Sequence, residues 1–476
     1  MIKAGFCEID ERKMNLYILT EERPKTNTLK FIIKRFLCDK KFPAFIDNIR
    51  ILPIVENERF LFSYEIIGVR CNQIHKIYLK IVSGSSSFVD YLVFFQNNTP
   101  SPKDSPIYAI EETKTDDKES RNTGILQRIS KFVYVDYFYP NVTKIMLYNL
   151  AISQKEKPTN TAIFGTKILC TLGVEIEGKK LSNDMLKPFA SVDELIEFKN
   201  AMRKPPKNNV PINIFKFQNT LQISGRLVKN NSLSHDPNIG AISGIAKALR
   251  VLGFNGKIDI ILHGLSSQNQ VGKDNKFIQI ANMVDISLQD LKVPKALPQR
   301  EYWHYETKGK KLATIFIHLL VTHFTSGKAI FENHAGCEKG YFFDSDGKAI
   351  ALEKYEDKKA YKEGDKNKRL FIPDLILLDS ERLEILNIEG KKFENKNKGI
   401  DELKNYDFIE KAYIKKFYPK YKIIRTLVLF GGVSEKIIEV EIGFLLNKQG
   451  KMILGIKAPQ IFIIALKNLF DFWSVK

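Results

Sequence analysis

Asp374, Glu389 and Lys391 are the residues of this chain whose types and spacing best suit a hydrolytic reaction. They lie in the stretch Phe371 to Lys392, FIPDLILLDSERLEILNIEGKK. Two apolar runs, Leu375 to Leu378 and Leu383 to Ile388, flank the polar turn Asp379-Ser380-Glu381-Arg382, so the segment reads as a β-hairpin. Side chains alternate along a strand, which puts Glu389 and Lys391 on one face and Gly390 on the other. Asp374 opens the neighbouring strand, about 4.8 Å away, close enough for its carboxylate to converge on the same point. Two carboxylates and a lysine at the end of a hairpin can hold a hard cation such as Mg²⁺ and place a water beside it. The reaction expected of such a set is hydrolysis of a phosphodiester, with Lys391 orienting the water or neutralising charge in the transition state.

On these residues the chain resembles the PD-(D/E)XK nuclease superfamily, spelled here by Pro373-Asp374 and Glu389-Gly390-Lys391. The spacing, 389 − 374 = 15, is ordinary for that family. A second Asp…Glu-x-Lys set occurs earlier. Asp90 lies in the apolar run Phe88 to Phe95, and after a Pro/Ser/Asn loop the strand Ile107 to Lys114 carries Glu112 and Lys114, a spacing of 112 − 90 = 22. Alternation groups Tyr108, Ile110, Glu112 and Lys114 on one face. No proline precedes Asp90 and the intervening loop is long, both departures from the family pattern. The resemblance implies two catalytic sets, Asp90, Glu112 and Lys114, and Asp374, Glu389 and Lys391. In each, the aspartate and glutamate would be Mg²⁺ ligands.

The elements that must position these residues are also legible. A helix follows Asn27-Thr28, and strands are expected at Arg59 to Val69 and Ile74 to Val82. After Glu112 a helix beginning near Thr123 carries Gln127 and Arg128, and a strand follows at Lys144 to Tyr148. After Glu389 the order repeats, with a helix at Ile400 to Phe417 and a strand at Ile423 to Phe430. Apolar spacing makes Lys311 to Phe324 a helix before the catalytic hairpin. In the family such a helix can supply a further carboxylate, for which Glu306 or Glu332 are candidates. The expected fold class is α/β: two PD-(D/E)XK-like domains, each a mixed sheet flanked by helices, joined by a central α/β unit. The expected division is a strand-rich lead-in 1–26, a nuclease-like domain 27–185, a central recognition or linker domain 186–300 and a second nuclease-like domain 301–476.

The net charge of +19 favours a polyanionic partner, and double-stranded DNA fits best. Arg121, Asn122, Gln127 and Lys392 flank the catalytic segments and suit DNA contacts. Gln268, Asn269 and Lys273 lie in a polar loop able to read base edges. Within the superfamily the nearest analogy is to type II restriction endonucleases, each site cutting one strand, which allows a cognate methyltransferase acting separately and action as a monomer. The alternatives are one catalytic site beside a DNA-binding domain, or a non-catalytic DNA-binding protein built on degenerate nuclease folds. Five dispersed cysteines without a C-x-x-C pair point away from zinc knuckles and disulfide frameworks and suit a reducing cytoplasm. No apolar run is long enough to span a bilayer. Neither G-x-x-x-x-G-K-[ST] nor H-E-x-x-H is present, which sets aside nucleotide-driven motors and zinc proteases.

Overall fold

The computed structural model describes residues 13–57, 59–85, 87–113, 124–148, 159–178, 182–202, 210–229, 232–233, 237–266, 270–273, 275–307, 309–333, 341–352, 357–363, 365–432, 441–446, 450–454 and 458–475. The chain is an α/β protein with mixed sheets flanked by helices. It divides into two compact units. Unit 1 takes residues 1–83, 95–99 and 305–476, and unit 2 takes 84–94 and 100–304. This division differs from the successive segments expected from the sequence, because residues 27–83 group with the C-terminal part and the central segment 186–300 groups with the strands that carry Asp90 and Glu112.

In unit 1 the hairpin forms as its turn chemistry dictates. Strand Leu375–Asp379 pairs antiparallel with Glu384–Lys392, with Leu375 opposite Ile388 and Asp379 opposite Glu384. The buried Asp379 carboxylate ties the turn, its Oδ1 accepting from the Glu381 and Arg382 amides at 3.1 and 3.2 Å. A six-stranded sheet grows on both sides of the hairpin. Lys328–Glu332 lies antiparallel to the first hairpin strand, and Lys422–Phe430 runs parallel to the second. Glu441–Leu446 and Met452–Leu454 complete the sheet.

One face of this sheet carries the helical segment that begins at Lys396. Ile385, Leu427 and Leu429 of the sheet pack with Leu403, Tyr406, Ile409 and Ile414 in one core. The single helix expected at Ile400 to Phe417 is broken. An α-helix Lys396–Lys404 gives way to a turn at Asp407–Ile409, a π-turn at Glu410–Ile414 and a final turn at Lys415–Phe417. Helix Lys310–Phe324 is buried through most of its length and passes beside Gly390, where an added Cβ would lie 2.4 Å from Thr314 Cγ2. The glycine of the Glu-x-Lys string therefore lets a helix approach the strand. Four further strands of unit 1 lie in the order Ala44–Glu56, Arg59–Cys71, Ile74–Gly84, Met14–Thr20, and Tyr341–Phe343 pairs antiparallel with Ala349–Ala351.

In unit 2, Tyr91–Gln96 pairs antiparallel with Tyr108–Thr113, which pairs parallel with Thr143–Tyr148 and that in turn with Val174–Glu177. A second sheet holds Ile286–Leu288, Lys257–Ile261 and Thr220–Ser224, all parallel, with Ile214–Phe217 antiparallel at one edge. Helix Gly124–Phe138 packs on Pro237–Val251. The contact is close because Gly240 and Gly244 face it: a Cβ on either would lie 2.1 Å from Leu126 O or 2.5 Å from Ile129 Cγ2. Among the described residues no helix is long and apolar enough to cross a membrane.

Candidate functional site

Asp374, Glu389 and Lys391 meet at the open end of the unit 1 hairpin. The pairing of Leu375 with Ile388 sets Asp374 across from Glu389, and the Asp374 amide donates to Ile388 O at 3.0 Å. The Asp374 carboxylate is buried and its Oδ2 accepts from the Gly390 amide at 2.9 Å. Glu389 is 2% exposed. Its Oε1 accepts from Lys391 Nζ and its Oε2 from the Tyr406 hydroxyl. Lys391 also donates to Glu402 Oε2 at 2.8 Å, so helix Lys396–Lys404 and the turn after it fix the orientation of both strand residues.

A second ammonium completes the cluster. Lys310, the first residue of helix Lys310–Phe324, places Nζ 2.9 Å from both oxygens of Asp374 and 3.9 Å from Glu389 Oε1. A positive charge thus already sits between the two carboxylates, on a side chain that is about one-third exposed. Burial, then the nearby Asp374 charge, push the Glu389 carboxyl up to about 7, against the opposing pull of Lys391 and Tyr406. Burial works against the charge on Lys391, but Glu389 and Glu402 outweigh it and raise its proton affinity. Burial would raise Glu402, yet its bond with Lys391 wins and holds that carboxyl below its ordinary range.

Among the described residues no group of three His, Cys, Asp or Glu side chains gathers as a complete metal cage. Two buried carboxylates around a cationic point suit Mg²⁺, which keeps several waters and takes one or two carboxylates, its other positions going to water and phosphate. Asp374 and Glu389 therefore fit the ion. The two further carboxylates considered from sequence are engaged elsewhere. Glu332 accepts from Arg23 Nε and Nη2 at 2.7 and 2.9 Å, and Glu306 Oε2 accepts from Ser83 Oγ at 2.6 Å.

In unit 2 the structure separates residues that the sequence grouped. Tyr91 stands opposite Ile110, so Asp90 stands across from Glu111 rather than Glu112. Glu112 turns to the other face, where its buried Oε2 accepts from the Tyr91 hydroxyl at 2.7 Å. Its amide, by contrast, donates to Asp90 Oδ2 at 2.6 Å. The physical reason is register. A strand one residue out of step presents the opposite set of side chains, and alternation within the strand cannot say which set meets the partner's aspartate. Lys114 lies outside the described residues, as do Arg121, Asn122, Gln268 and Asn269. Gln127, Lys273 and Lys392 are exposed, on helix Gly124–Phe138, in a loop and at the end of strand Glu384–Lys392 respectively.

Sequence reasoning missed Lys310, Glu402 and Tyr406. Glu402 and Tyr406 follow Glu389 by 13 and 17 residues on the helical segment after the catalytic strand, and that element order was the available signal. Comparison with protein-family models, with curated proteins and with solved structures finds no match to this chain.

Proposed function

We propose that the chain is a Mg²⁺-dependent endonuclease of double-stranded DNA, with the restriction-enzyme-like behaviour and PD-(D/E)XK-like units that its sequence motifs suggest. The observation that carries this reading is the pair of buried carboxylates, Asp374 and Glu389, facing one cationic point beside Lys391. Asp374 and Glu389 would hold the ion, which when bound lowers the pKa of water and neutralises phosphate charge. Tyr406 and Glu402 keep the Glu389 carboxylate and the Lys391 ammonium in fixed orientations.

Lys391 orients the attacking water and offsets the charge that grows on the phosphoryl oxygens. In the reaction a bond forms between the water oxygen and phosphorus, and the bond from phosphorus to the leaving sugar oxygen breaks. The proton released by the water reaches that oxygen through solvent. Exposed Lys392 and Lys398 flank the site and suit backbone phosphates, in keeping with the net charge of +19. Each unit would cut one strand, so that a single chain could make a double-strand break, and a cognate methyltransferase would act separately.

The test is a plasmid assay. Purified protein with Mg²⁺ should linearise supercoiled DNA, EDTA should stop it, and Lys391→Ala should leave nicked circles. Sequencing the ends from a digest of a known genome would then give the recognition site. Mg²⁺-independent binding without cleavage by wild-type protein would instead identify a non-catalytic DNA-binding protein. Full loss of both cuts in Lys391→Ala would confine catalysis to unit 1.

A further inference from the structure

The register that turns Glu112 away from Asp90 brings a different set of residues together, and its aspartate and glutamate match the unit 1 pair in strand position. In both units the aspartate stands across from a glutamate one step beyond a paired couple, Leu375 with Ile388 and Tyr91 with Ile110. In both, the amide after that glutamate donates to the aspartate's Oδ2, from Gly390 at 2.9 Å and from Glu112 at 2.6 Å. In both, the glutamate's strand pairs parallel with the next strand, Glu389 beside Leu427 and Glu111 beside Met146. Glu111 thus occupies the place of Glu389. It is as deeply buried, 3% against 2% exposed.

Two residues on, Thr113 stands where unit 1 has Lys391. The ammonium comes instead from helix Gly124–Phe138: Lys131 Nζ donates to both Glu111 oxygens, at 2.8 and 2.7 Å. Arg128, one turn earlier on the same helix, brings Nε to 3.4 Å from Glu111 Oε1. Burial and then the Asp90 charge push the Glu111 carboxyl up to about 7, the same two leading causes that act on Glu389. Lys276, at the start of helix Lys276–Met283, is lowered to about 8 first by burial and then by the Lys131 charge.

We propose that unit 2 carries a second divalent-cation and phosphodiester site made of Asp90, Glu111 and Lys131, with Arg128 as an additional phosphate contact, and that Glu111 rather than Glu112 is the metal ligand beside Asp90. The ligand class is a hard divalent cation together with a nucleic-acid phosphate. Asp90 and Glu111 hold the ion, and Lys131 takes the part that Lys391 plays in unit 1. The cleavage step is the hydrolysis written above, with the same bonds formed and broken. The inference rests on the nuclease reading of unit 1 for its chemistry, but its residues are fixed by the geometry of unit 2 alone.

The experiment counts Mn²⁺ ions bound to the full chain, by titration calorimetry and by electron paramagnetic resonance of the free ion. Wild type should bind one ion per unit. Glu111→Gln and Asp90→Asn should each lose one ion, Glu389→Gln should lose the other, and the Glu111→Gln, Glu389→Gln double variant should bind none. Glu112→Gln should keep both. Lys131→Met should keep its ion but leave plasmid DNA nicked rather than linear. Thermal melts confirm that each variant is folded, and Glu111→Gln and Asp90→Asn check each other. If Glu111→Gln and Asp90→Asn retain both ions, or if Glu112→Gln loses one, the proposal is overturned while unit 1 stands. If Glu389→Gln has no effect but Glu111→Gln loses an ion, the unit 1 reading fails and this one survives. A wild-type chain that binds no Mn²⁺ refutes both.

Discussion

Replacing Glu389 by glutamine in the metal-free protein should abolish a pH dependence of stability that can be worked out from its surroundings. The carboxyl ordinarily titrates near 4.5 and is pushed up to about 7 in the folded chain by burial and by Asp374. Below pH 4.5 it is protonated in both folded and unfolded states and contributes no difference. Between 4.5 and 7 the unfolded chain releases its proton while the folded chain keeps it, so the folded state loses ground as the pH rises. Above about 7 the loss is complete. A tenfold change in proton affinity is worth about 1.4 kcal/mol, which makes the whole effect about 3 kcal/mol. Glutamine is neutral throughout, retains an oxygen for the Tyr406 hydroxyl, and leaves Lys391 its bond to Glu402.

Urea unfolding of both proteins in EDTA, on either side of this pH window, measures the difference. Wild type should fall relative to Glu389→Gln by about 3 kcal/mol from the acid to the alkaline side. Excess Mg²⁺ should then stabilise wild type beyond Glu389→Gln, by about 2.7 kcal/mol for the unit 1 ion at a hundredfold excess over its dissociation constant. A wild-type-to-variant difference that stays constant with pH would refute the electrostatic account of this site. A difference that grows in the opposite direction would refute it as well.

Other expectations follow from the same contacts. Lys391→Ala should slow cleavage of one strand by roughly a hundredfold or more, the size of effect seen when an electrostatic donor to a transition state is removed, and nicked plasmid should accumulate. Linear product at the wild-type rate would count against the assignment. Lys310→Met removes the ammonium that competes for the carboxylates; because that side chain is partly exposed, the expected gain in Mn²⁺ affinity by calorimetry is about tenfold. Arg425→Met strips Nε and Nη2 from the buried Glu410, both at 2.8 Å, and should destabilise the chain by about 3–5 kcal/mol in urea, with Glu410→Gln recovering part of it. Gly390→Ala drives a methyl against Thr314 Cγ2 and should cost about 1–3 kcal/mol, which the smaller Thr314→Ser partner should reduce.

The alternating patterns and turn residues of the sequence were enough to define individual elements. The hairpin at 375–392 follows from two apolar runs around a turn whose first residue, Asp379, ties the amides that follow it. Because the turn is short, it also fixes the register, and with it the convergence of Asp374, Glu389 and Lys391. The same reasoning could not settle the earlier set. Between Tyr91–Gln96 and Tyr108–Thr113 the connection is long, two glutamates stand side by side, and either register satisfies the apolar pattern; only pairing decided that Asp90 meets Glu111.

The side chains that tune both clusters were equally illegible. Lys310 lies 64 residues from Asp374, and Lys131 lies 20 from Glu111 on a helix whose rotation is set by packing. Nor does any local signal join residues 27–83 to those after 305, since that grouping rests on contacts far apart along the chain. Sequence specifies what is near in the chain, through the period of the backbone and the chemistry of short turns. Tertiary structure decides which charges share a buried space, and burial is what lifts Glu389 and Glu111 out of the ordinary carboxylate range.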